Sequence, residues 1–90
     1  MKTETIKKQR TKDYSELALK KVIEAVEIAL EKYSSANVDV IRNEENNMLD
    51  VVYHSRHNSF CIKPNVAEFD SVQTKELEIL LDELGVGYVW

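Results

Sequence analysis

Asp50, His54, His57 and Cys61 are the side chains of this sequence best suited to metal binding or nucleophilic chemistry. Two histidines and a thiol surround a single turn, in the spacing H-x2-H-x3-C. A structural zinc site takes four such ligands converging on a tetrahedron. That spacing matches no familiar zinc pattern. On neighbouring strands Cys61 would also lie two residue steps, roughly 7 Å, down the sheet from His54. A polar hairpin tip beside a strand cysteine is the better reading, so no metal and no cofactor is expected.

A Cys61–His54 nucleophile–base pair oriented by Asp50 is the second chemistry these residues allow. It needs an oxyanion donor and a cleft as well. A flat face of short strands offers neither, and the chain is expected not to be an enzyme. Gly85 and Gly87, the only glycines, follow a helical pattern and do not precede one, which removes phosphate-loop and dinucleotide readings. Carboxylates at Glu44 and Glu45 and along the second helix read as solvated faces.

Positioning these residues is the work of a strand, Met48 to His54, with a turn signal on each side. Leu49, Val51 and Tyr53 alternate with Asp50, Val52 and His54, the period of a half-buried strand. Residues 38–42 form a second strand, joined by the polar turn 43–47. Pairing Asn43 with Met48 sets Val40 opposite Val51 and Val38 opposite Tyr53. A slip of one residue would bring Asp39 against Val51, so the first register is chosen. Residues 55–58 are the next turn. Pairing His54 with Ser59 then sets Tyr53 against Phe60, Val51 against Ile62, Val52 against Cys61 and Asp50 against Lys63, the last an opposite-charge pair. Pro64 is expected to stop this third strand, with a connection over residues 65–69.

Two helices complete the pattern. Leu19, Val22, Ile23, Val26, Leu30 and Tyr33 repeat at helical spacing after Asp13, an N-cap with Glu16 as its capping-box partner. Leu77, Leu80, Leu81 and Leu84 form a second stripe, with Asp70 or Ser71 as N-cap. Gly85 then takes a left-handed ending against which Val86 folds back. Residues 87–90 add a short final strand. Residues 1–12 have almost no apolar content and read as a flexible basic arm, leaving 13–90 as a single domain. The expected fold is α+β, in the order α-β-β-β-α-(β). Two helices pack on one face of a three- to four-stranded antiparallel sheet, whose other face is open.

Charge is divided unevenly. Residues 1–21 hold seven basic and three acidic side chains, net +4; residues 22–90 hold five basic and thirteen acidic, net −8. The single cysteine and the lack of an N-terminal apolar run point to a reducing, cytoplasmic setting. Apolar runs fall far short of the roughly 20 residues of a membrane span, so no membrane partner is expected. The α-β-β-β-α order is shared by double-stranded-RNA-binding domains, which set basic residues at the start of the second helix. Here Lys75 stands alone against Glu76, Glu78, Asp82 and Glu83, which argues against that mode.

The expected function is therefore a small acidic protein-interaction module that regulates or inhibits a larger protein, with a homodimer as one arrangement. Its partner would meet the outer sheet face, Ile41, Val52, Cys61 and His54. In a sharper form, the acidic surface of Glu44, Glu45, Glu76, Glu78, Asp82 and Glu83 occupies a groove that otherwise holds nucleic acid. The alternative is a nucleic-acid-binding accessory protein acting through Lys7, Lys8, Arg10 and Lys12.

Overall fold

A computed structural model describes residues 16–90 in full and, for residues 2–15, the course of the backbone alone. Helix α1 (Lys2–Lys32) is followed by strands β1 (Val38–Asn43), β2 (Met48–His54) and β3 (Ser59–Glu68), helix α2 (Thr74–Leu84) and strand β4 (Gly87–Val89). Helix α1 thus takes in Asp13, expected as its first cap. The side chains of the basic arm, Lys7, Lys8, Arg10 and Lys12 among them, lie outside the described residues.

The sheet has the order β3-β2-β1-β4. Both helices lie on one of its faces. Val22, Val26 and Ala29 of α1 and Leu77 and Leu81 of α2 bury against Val38, Val40, Leu49 and Val51 of the two central strands. Each helix supplies one apolar stripe and the sheet one apolar face, which is the condition for a two-layer core. The sheet is mixed, where a wholly antiparallel one was expected: β4 runs parallel to β1, pairing Val40 with Tyr88 and Ile41 with Val89. The chain between them runs through β2, β3 and α2, and α2 carries it from the β3 edge of the sheet to the β4 edge.

The β1–β2 register is the expected one at every pair, from Asn43 opposite Met48 to Val38 opposite Tyr53. Beyond the second turn the expectation holds for three pairs only: His54 with Ser59, Tyr53 with Phe60, and Val52 with Cys61. The ladder then shifts twice, so that Val51 faces Lys63 instead of Ile62, and Leu49 faces Ala67. The Asp50–Lys63 pair does not form. Nor does Pro64 end the strand, which continues to Glu68. Strand β3 lies at the sheet edge, where a residue without an N–H is tolerated, and the proline sits in the irregular part of the ladder.

A network of polar side chains holds this bulge. Asn65 adopts φ 52°, a left-handed conformation that asparagine tolerates better than most residues. Its backbone N–H donates to Asp50 Oδ1 at 2.8 Å, and its Oδ1 accepts from Asn46 Nδ2 at 3.1 Å. Asp50 is therefore a cap for a kinked edge strand. Leaving that N–H without a partner would cost about 1–3 kcal/mol if it were buried, and less where water reaches it.

At the other end of α2, Gly85 at φ 74° donates to Asp82 O, and the Val86 N–H reaches Leu81 O at 2.9 Å. With Val86 buried this is the expected Schellman ending. The start of α2 differs from expectation. Gln73 occupies the cap position with no side-chain hydrogen bond. Asp70 instead accepts from Asn47 Nδ2 at 2.9 Å, tying the segment before α2 to the β1–β2 turn.

Candidate docking face of the sheet

Period-two alternation sends Val38, Val40, Leu49 and Val51 into the core and so turns their neighbours outward. Ile41 and Val52 are half-buried and Cys61 is exposed, all on the face away from the helices. Val52 pairs directly with Cys61, and Ile41 is diagonal to Val52 across the β1–β2 ladder. On its far side Ile41 pairs with Val89, which is 60% exposed. One apolar residue from each strand thus forms a diagonal band, Val89–Ile41–Val52–Cys61. Sequence reasoning missed Val89. The final strand was expected, but its neighbour in the sheet cannot be read from local pattern.

Acidic groups flank the band. Asp39 stands opposite Val52, and its carboxylate lies over Gly87, where a Cβ would come within 2.6 Å of Oδ1. A side chain at position 87 would displace that carboxylate, so the glycine is a close-approach residue. Asp50 stands opposite Ile41 and is occupied with Asn65. His54 is exposed at the end of the face, its Nδ1 3.1 Å from Ser59 Oγ.

The arrangement does not favour thiol chemistry. Loss of solvation first, and the Asp50 carboxylate second, push the Cys61 thiol above its ordinary range, outweighing a hydrogen bond with the Lys63 backbone. A nucleophilic cysteine needs the opposite shift. The Sγ lies 3.7 Å from Val51 O. His54 is engaged with Ser59, and among the described residues no three His, Cys, Asp or Glu side chains converge as metal ligands.

The six carboxylates of the expected acidic surface fall at different places. Glu44 and Glu45 are exposed at the β1–β2 turn. Phe69 N donates to Asn47 O, which brings the start of α2, with Glu76 and Glu78, to the same end of the sheet. Asp82 and Glu83 lie in the last turn of α2, next to the Gly85 that abuts Ser35 at the opposite end. Glu78 is not a bare surface charge: Oε2 accepts the Trp90 indole N–H at 2.8 Å. Trp90 stacks on Tyr88, its ring centroid 5.0 Å away, and tilts against Phe69 at 5.8 Å. Phe69 in turn carries the Arg42 guanidinium 4.4 Å over its ring. Arg42, one of the few cations of the body, is thus held at the turn end, its Nε donating to Asn47.

Among the described residues no helix is long and apolar enough to cross a membrane. Comparison of the chain with known protein families, with curated proteins and with solved structures finds no match.

Proposed function

We propose that the chain is a non-enzymatic interaction module that regulates or inhibits a larger protein docked on the open face of its sheet. The observation that carries this reading is the band Val89–Ile41–Val52–Cys61, one side chain per strand, with Asp39 and Asp50 beside it. Both helices are spent on the opposite face, so nothing of the described chain covers it. An apolar strip with a polar rim is the usual anatomy of a protein interface. The acidic rim selects a partner whose contacting surface is apolar and basic. Glu44 and Glu45 at the turn, with Glu76 nearby, extend the negative field and would compete for a groove built to hold phosphates.

Affinity capture from the native host, followed by mass spectrometry, tests the reading when run with variants. Wild type should retain a basic protein at low salt. Val52→Lys should lose it, Glu44→Lys with Glu45→Lys should weaken it, and rising salt should release it. Capture that is indifferent to Val52→Lys and to salt would contradict the proposal. A gel shift abolished by deleting residues 1–12 would favour nucleic-acid binding through Lys7, Lys8, Arg10 and Lys12 instead.

A further inference from the structure

The β3 bulge has a second consequence, on the helix side of the sheet. Where the strand bends between Lys63 and Val66, a cleft of about 460 Å³ opens between β3 and α1. That size falls within the range of small-molecule sites, about 300–1,000 Å³. Ala25 and Ile28 of α1 and Ile62 and Val66 of β3 give it apolar walls. Ile28, at the rim of the cleft, is 62% exposed. Leu17, eleven residues earlier and therefore on the same flank, is 48% exposed.

The polar part of the lining is Lys21, Glu24, Lys63 and Asn65. Two lysines and one glutamate give the lining a formal charge of +1; Lys21 belongs to the basic first segment and Lys63 stands in the acidic remainder of the chain. The lining thus combines a net positive charge with the hydrocarbon of Ala25, Ile28, Ile62 and Val66. Charge complementarity and apolar walls together define an amphiphile with an anionic head.

We propose that the α1–β3 seam is a binding site for a free single-chain aliphatic carboxylate. The hydrocarbon lies against Ile28, Ile62 and Val66, and the carboxylate is held by Lys21 and Lys63. This site is separate from the outer face, and either can exist without the other.

The test uses the full chain, ¹⁵N-labelled, titrated with sodium octanoate and sodium decanoate below their micelle concentrations. Amide shifts should concentrate on Ala25, Ile28, Ile62 and Val66. Two added methylenes, at about 0.8 kcal/mol each, should tighten Kd about 15-fold from octanoate to decanoate. Lys21→Glu with Lys63→Glu, both at exposed positions, should leave the spectrum folded and weaken decanoate at least tenfold. Decyltrimethylammonium should not bind the wild type and should bind the double variant. Equal binding of the cation to wild type, decanoate binding unchanged by the lysine variants, or shifts confined to Ile41, Val52 and Val89 would each overturn the proposal. So would seam shifts that depend on protein concentration with no ligand present, because a second copy would then be the occupant.

Discussion

The two faces of the sheet are built from the same strands and do opposite things. Inward, Val38, Val40, Leu49 and Val51 have no accessible surface and lie under two helices. Outward, Ile41, Val52, Cys61 and Val89 form an apolar band that nothing among the described residues covers. What separates them is cover, which is supplied by the helices and not by the strands. Folding free energy is therefore concentrated on one face, and substitutions on the other should act on binding with little effect on stability.

The largest effect should come from removing inward side chains. Leu49→Ala should destabilise by about 2–5 kcal/mol, read as a lower urea midpoint, whereas Val52→Ala should cost less than about 1 kcal/mol. In a domain of this size the first value is a large share of the total. Equal losses from the two variants would break the comparison of the faces.

Next come the devices that shape the edge of the sheet. Asp50→Ala removes the acceptor for Asn65 N–H and should cost about 1 kcal/mol, while Asp50→Asn keeps an acceptor and should cost less. Asn65→Val, a β-branched residue forced to φ 52°, should cost about 1–2 kcal/mol, and Asn65→Gly should be close to neutral. Thermal melts of the four variants check this order. If Asn65→Val proved neutral, the bulge would not be holding its observed conformation.

The Trp90–Glu78 hydrogen bond should contribute about 1 kcal/mol, being partly buried and accepted by a carboxylate. Trp90→Phe keeps a smaller aromatic ring against Tyr88 and loses the donor, so a double-mutant cycle with Glu78→Ala, read as unfolding midpoints, separates that bond from the loss of ring area. The smallest effect concerns Cys61. Its thiol is held above the ordinary range, so alkylation at neutral pH should run slower than for a free thiol and rise through a higher midpoint. Asp50→Asn removes a charge that opposes the thiolate and should accelerate the reaction modestly. Alkylation rates across pH 7–10 decide the sign.

How much of this could be read from residues alone follows from how local each cause is. The β1–β2 hairpin was legible throughout because two alternating patterns joined by a short turn leave one register with every apolar residue inward. The third strand was legible only as far as Cys61. Past that point the deciding interaction joins Asp50 to a backbone N–H fifteen residues away, and nothing in the pattern around Lys63 and Pro64 signals it. The usual rule for proline in strands also misled, because it applies to strands with neighbours on both sides and β3 has one. Gly85 and Val86 were legible because a helix ending is set within a few residues. Asp70 was misread because its partner, Asn47, lies in another turn. Three members of the outer band, Ile41, Val52 and Cys61, followed from alternation. Val89 did not, since its place beside Ile41 depends on where α2 delivers the chain.

The most direct test of the division between the faces is the urea midpoint of Val52→Lys measured beside that of Val51→Lys. These are adjacent residues given the same charge. Val52→Lys, set opposite Asp39 on the open face, should unfold within about 1 kcal/mol of wild type. Val51→Lys, which buries an ammonium with no partner among Val38, Val40 and Leu49, should fail to fold. A folded Val51→Lys beside an unfolded Val52→Lys would reverse the faces and remove the proposed docking surface.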